Sequence, residues 1–279
     1  MSYGNFFRGK SVLITGASSG IGRTLALQLG AVGAKVTLTA RRAELLATLA
    51  DEMVSAGAVR PLISTCDVTR DGDLERVVTD AVSAFSGLDV VFANAGFGVV
   101  GFFNRLEVAD YRRQFETNVF GVLRTLKASE AEITRRKGNI VIMGSVAGYC
   151  ATPGNSPYCM SKFALRALAR SITPELARAG VRVTLISPGF VASNIRKVDN
   201  SDRFHPEAPE PMPAWIVADT QQVCRHILRA VAAGRAEAIV TGHGKLLVGI
   251  ERFAPWILRL AGRRMAARGR GHRTEVDAS

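Results

Sequence analysis

The chain has 279 residues, 47% of them apolar and 22% charged, which is enough to bury one large core and too apolar for a disordered segment. No apolar run reaches the roughly 18–20 residues that span a bilayer, and Met1–Lys10 lacks the apolar centre of a secretion signal. The net charge of +12 is uneven: Lys245–Arg273 holds eight cations and one acid, so +7 falls there and only +5 on the rest, which argues against a nucleic-acid partner for the body of the chain.

Four cysteines, Cys66, Cys150, Cys159 and Cys224, form no CxxC pair and no metal-like spacing with the four histidines. They read as free thiols of a reducing compartment, with no metal site, in a cytoplasmic or membrane-peripheral protein.

In chain order, β-branched runs alternate with helical patterns. Strands are predicted at Ser11–Ile14, Val36–Thr39, Leu62–Cys66, Val90–Ala93, Ile140–Met143, Val183–Ile186 and Ala238–Thr241. Helices are predicted at Gly22–Val32, Glu44–Ala56, Leu74–Phe85, Asp110–Arg136, Tyr158–Ala177 and Gln221–Ala233. Such alternation predicts an α/β fold: a Rossmann-type, doubly wound parallel sheet with helices on both faces. Asn194–Trp215 breaks the pattern with four prolines and reads as a substrate loop within a catalytic domain spanning 1–244. Residues 245–279 read as a basic amphipathic extension, divided by Pro255.

Thr15-Gly16-Ala17-Ser18-Ser19-Gly20-Ile21-Gly22 lies between the first strand and the first long helix. Glycines there allow a tight turn and close backbone approach to a pyrophosphate, and the helix start offers unpaired N–H groups. Ala40 and Arg41 end the second strand where an acid would grip the ribose of NAD; a guanidinium suits a 2′-phosphate, so NADP(H) is expected, against the plainer reading of a solvated arginine. Asp67-Val68 ends the third strand, where Asp67 either meets adenine or caps a turn. Asn94-Ala95-Gly96 ends the fourth with small residues that let a flat cofactor pass, and Asn94 is placed to brace the neighbouring strand.

Tyr158 and Lys162 stand four apart at a helix start, with Ser156 as the expected cap and Pro157 in the first position. A phenol ordinarily titrates near ~10, and a neighbouring ammonium lowers that value. Taken together, Thr15–Gly22, Asn94–Gly96, Asn118, Gly144-Ser145, Tyr158-x-x-x-Lys162 and Pro188-Gly189 make the chain, from about Lys10 to Ser193, resemble the short-chain dehydrogenase/reductase family.

The resemblance implies a chemistry in which a ketone and a secondary alcohol are interconverted with nicotinamide. Tyr158 is the acid/base and Ser145 holds the reacting oxygen. Lys162 grips the ribose and lowers the Tyr158 pKa, while Asn118 organises a helix distortion and a water leading to Lys162. Pro188, Gly189, Val191 and Ser193 line the nicotinamide side, Ser193 standing where the family often has threonine. Pro174 is expected to kink or shorten the Tyr158 helix, which in the family often builds a homo-oligomer face.

Val99, Tyr149 and Phe190 match the family's pocket walls, and their apolar character predicts a hydrophobic or lipid-like carbonyl substrate. A small polyol or sugar dehydrogenase and a non-catalytic NADP-binding scaffold are the competing readings. Leu246–Arg268 mixes apolar residues with arginines, the composition of a helix at a membrane surface or of one packed on protein.

Overall fold

The computed structural model describes residues 2–192 and 213–271. A short helix α1 (Tyr3–Phe7) precedes β1 (Ser11–Thr15), α2 (Gly20–Ala31), β2 (Lys35–Thr39), α3 (Ala43–Ser55) and β3 (Leu62–Ile63). There follow α4 (Asp73–Phe85), β4 (Val90–Ala93), α5 (Val108–Phe115), α6 (Gly121–Arg135), β5 (Asn139–Met143), α7 (Ser156–Ala177) and β6 (Arg182–Ser187). The described chain ends with α8 (Thr220–Ala232), β7 (Glu237–Ile239), α9 (Gly242–Phe253) and α10 (Pro255–Gly271).

The seven strands form one sheet in the order β3-β2-β1-β4-β5-β6-β7, every pair parallel. Strand side chains alternate between two cores. Val12, Ile14, Val90, Phe92 and Val141 pack with Leu25, Leu29, Met53 and Ile227 on one face. Leu13, Val91, Ile140 and Ile142 pack with Val77, Leu126 and Leu165 on the other. A strand buried on both faces is apolar at most positions, which is why these runs lack a regular polar alternation, with buried Ser11, Thr37, Thr39 and Thr184 among the exceptions. The order reverses between β1 and β4, and in such sheets the crevice beyond the carboxyl ends of those strands is where ligands bind.

Three boundaries differ from expectation. The third strand stops at Ile63, although the Ser64 and Cys66 amides still donate to the Leu38 and Ala40 carbonyls. The last strand stops at Ile239 because Thr241 becomes the cap of α9. The single helix expected over 110–136 is two helices joined by a π turn at Glu116–Phe120, and it starts earlier, on a reciprocal Glu107–Asp110 capping box. Pro174 does not stop α7, which continues to Ala177; so near the end, only one ladder bond is lost. Pro255 does separate α9 from α10. The boundary expected at 244/245 falls inside α9, whose Gly244 is buried against Val146. Most of the expected 194–215 loop lies outside the described residues, as does Ser193.

Candidate active site

Four strand ends meet at the crevice. After β1, Gly16 and Gly20 take left-handed backbone with φ of 67° and 53°. Gly22 faces the back of the same turn, where a Cβ would lie 2.4 Å from the Gly16 carbonyl oxygen and 2.7 Å from Asn94 Nδ2. Ser19 stands at the α2 N-cap, and its hydroxyl makes no capping bond to the helix amides. A glycine-built turn delivering such amides is what an anionic pyrophosphate requires, so the residues fit a dinucleotide. Ile21 packs half-buried on the first core.

Asn94 braces the turn as expected. Its Nδ2 donates to the Thr15 carbonyl at 2.8 Å, while the Asn94 and Ala95 amides donate to Thr15 Oγ1 at 2.9 and 3.0 Å. Thr15, which the sequence places at the head of the glycine turn without a role of its own, thus ties β1 to the turn after β4. Gly96 lies against Asn118, leaving 3.1 Å between a Cβ and Oδ1.

The arginine seen at the glycine turn is Arg42, whose Nη2 donates to Ser18 Oγ at 3.1 Å; Arg41 beside it is exposed. Asp67 serves as a turn cap, accepting from the Thr69 amide at 3.0 Å and the Thr69 hydroxyl at 2.7 Å. Val68 is buried against Gly121.

Asn118 sits in the π turn, fully buried. It accepts from the Phe97 amide at 3.1 Å, donates to the Phe97 carbonyl at 2.9 Å, and its Nδ2 lies 3.4 Å from Ser161 Oγ on α7. The helix distortion expected of this residue is therefore present, and its work is to fasten the loop after β4. Gln114 does the same one turn earlier, bonding the Phe97 carbonyl and the Val99 amide, and nothing in the sequence marked it.

Ser145 follows β5, its hydroxyl accepting from the Ala147 amide at 3.1 Å. The next turn packs hard on α7, for a Cβ at Gly148 would lie 2.7 Å from the Lys162 carbonyl. On α7 the cap is Asn155, one residue before expectation, and Ser156 instead shares a 2.7 Å hydrogen bond with the Tyr111 hydroxyl. Tyr158 is half-buried, Gly98 passes its ring, and Lys162 Nζ lies 5.5 Å from the ring centroid. Beyond β6, the Pro188 carbonyl accepts from the Val146 amide at 2.9 Å, and buried Val191 pairs with Ala218.

Lys162 is buried, and Nζ donates to the Met143 carbonyl at 2.9 Å. Burial pulls the ammonium down from 10.5 to about 8. The unfolded chain keeps this proton through that interval, so stability rises with pH between about 8 and 10.5 and the full cost is present below 8. Lys162→Met is expected to be more stable than the parent at pH 7, by on the order of 3 kcal/mol at most, with the gap narrowing toward pH 10. Urea unfolding across that range checks it; a less stable variant at pH 7 would show that the Met143 bond outweighs burial.

The expected pocket walls divide. Val99 is fully buried and lines no open surface, because its amide is held by Gln114. Tyr149 is turned onto the sheet: its hydroxyl bonds Glu237 and Arg166 stacks on its ring, so it is structural here. Burial and the neighbouring carboxylate push its phenol up to about 12. Phe190 alone of the three stays partly exposed. The four thiols are free and buried, and no cluster among the described residues could hold a metal ion.

A family model for short chain dehydrogenases matches residues 10–203, so the chain belongs to that family of oxidoreductases. An oxidoreductase of Myxococcus xanthus is 37% identical over 232 residues, 82% of this chain and 86% of that protein. A Burkholderia phymatum short-chain dehydrogenase/reductase, solved in complex with NAD, superposes with a TM-score of 0.78 at 26% identity, covering 88% of this chain and 94% of that one. An alcohol dehydrogenase of Thermococcus sibiricus, solved with 5-hydroxy-NADP, gives 0.71 at 26% identity, covering 82% and 95%.

Proposed function

We propose that this protein is an NADP(H)-dependent reductase of hydrophobic or lipid-like ketones. The observation that carries the reading is Tyr158 on α7, one helical turn from the buried Lys162 ammonium, with the turn after Ser145 packed on the same helix at Lys162. A bound nicotinamide supplies the hydride. Tyr158 hands a proton to the carbonyl oxygen in reduction and takes it back in oxidation. Ser145 orients that oxygen, and the Lys162 charge makes the phenol a better acid. The turn 16–22 holds the pyrophosphate, while Arg41 and Arg42 face the ribose end.

The apolar preference rests on exposed apolar side chains in the segments that follow β4 and precede α8. The segment passing the Tyr158 ring continues into exposed Val100 and Phe103, and Trp215 stands exposed near the Val191–Ala218 pairing. A panel of long-chain ketones, steroid-like ketones and small sugars with NADPH, read by loss of nicotinamide absorbance, tests this. Turnover confined to the sugars would overturn it.

The reading includes a peripheral seat on an anionic membrane. On α9, Leu246 and Phe253 share a face; on α10, Trp256, Ile257 and Leu260 do, and all five are exposed. The exposed charges along them, Lys245, Arg252, Arg259, Arg263 and Arg264, are all cationic, and the one acid, Glu251, is half-buried. A second copy docked face to face would set these cations against each other, whereas anionic headgroups match them. No helix among the described residues is long and apolar enough to cross a membrane. For the homo-oligomer face the reading favours α7 and the π turn instead, supported by exposed Met160, Phe163 and Phe120.

The protein is expected to co-sediment with phosphatidylserine vesicles at low salt, to leave them as salt rises, and to lose binding in the Trp256→Ser, Leu260→Ser double variant. Binding unchanged by that variant would refute this face.

A further inference from the structure

The turn after β6 is gripped from two sides. On one, the Val146 amide donates to the Pro188 carbonyl at 2.9 Å, and the Ser145 hydroxyl lies 3.5 Å from the same oxygen. On the other stands the start of α9. Thr241 Oγ1 accepts from the Gly189 amide at 3.1 Å, and His243 Nε2 accepts from the Phe190 amide at 2.8 Å. The imidazole also stacks on the Phe190 ring, centroids 5.7 Å apart and planes 25° from parallel. The fit requires glycine at 189, where a Cβ would come within 2.2 Å of His243 Nε2 and 2.6 Å of Thr241 Oγ1. Accepting from an amide means that Nε2 carries no proton, and partial burial favours this neutral ring by holding its pKa below the usual 6.5.

Two consecutive peptide units, 188–189 and 189–190, are therefore fixed between the Ser145 turn and α9. We infer that His243 is a positioning residue of the active site: by accepting from Phe190 it sets the Pro188–Phe190 turn, and through Pro188 the hydroxyl of Ser145. The inference rests on the reductase reading above only for its catalytic consequence; the grip on the turn stands independently. Because it acts at the nicotinamide and substrate end of the crevice, the adenosine and pyrophosphate contacts do not depend on it.

Two variants separate the parts. His243→Phe keeps a stacking ring and removes the acceptor. His243→Gln removes the ring and keeps an acceptor oxygen the same number of bonds from the backbone. Hydrogen exchange at the Phe190 amide reads the grip directly; kcat and the KM for NADPH read its effect. In His243→Phe, exchange is expected to quicken and kcat to fall, each by about tenfold, for a lost hydrogen bond to a part-buried amide, with KM for NADPH within about threefold. His243→Gln is expected to restore both to within about threefold of the parent. Equal impairment in the two variants would overturn the inference in favour of simple packing, as would parental kcat in His243→Phe. A parent that turns over no carbonyl would sink the reductase reading, and unchanged Phe190 exchange in His243→Phe would then sink the grip on its own.

Discussion

Tyr158→Phe is expected to lower turnover by about 100- to 10,000-fold while leaving NADPH affinity within about threefold, the range seen when a general acid is removed. The change deletes one hydroxyl from a half-buried ring and nothing else. Gly98 still passes the ring edge, Lys162 keeps its bond to the Met143 carbonyl, and the Ser145 turn keeps its contact with α7. A loss in kcat alone therefore reports the proton and not the architecture. The measurement is steady-state kinetics with a hydrophobic ketone beside cofactor binding followed by fluorescence. A variant that retains parental turnover removes Tyr158 as the acid, and one that loses cofactor affinity equally shows a structural lesion.

The Arg41→Ala, Arg42→Ala double variant is expected to weaken NADPH binding by about 100-fold or more and NADH binding by no more than about threefold. The estimate follows from about 1.5–3 kcal/mol for each hydrogen bond to a charged group. Both arginines follow β2, next to the turn that receives the pyrophosphate, and Arg42 already reaches Ser18 across that turn. The position that would carry an acid in an NAD-selective chain is occupied by Ala40. Only the 2′-phosphate distinguishes the two cofactors, so the effect must be selective if these guanidiniums read it. Calorimetric titration with both cofactors checks this, and equal losses would assign the arginines to the fold.

The fold was legible because its strands are buried on both faces and run mostly apolar or β-branched, and because helices punctuate them regularly. The candidate site was legible as a group of residues because motif order along the chain maps onto successive strand ends. What escaped the sequence was geometry without periodic or compositional trace. The π turn at Glu116–Phe120 looks like continuous helix, since its neighbours on both sides are helical. Gln114 and Thr15 are polar residues whose partners lie on other elements, and Tyr149 is diverted from the pocket by Glu237, eighty-eight residues away. His243 lies within 1–244 but past the last motif, and nothing in the sequence gives it a role, yet the fold returns it to the turn after β6. The division placed at 244/245 falls within α9, whose first turn holds the turn after β6.

The central claim is that this chain transfers hydride from NADPH to a hydrophobic ketone with Tyr158 as proton donor. NADPH deuterated at the nicotinamide carbon that gives up the hydride, mixed with the protein and a long-chain ketone, tests it in one measurement by mass spectrometry of the alcohol. The account predicts one deuterium on the carbinol carbon with the parent protein and at least about a hundredfold less labelled alcohol with Tyr158→Phe. Deuterated NADPH that binds and is never consumed by any ketone, or label transferred equally by both proteins, would contradict it.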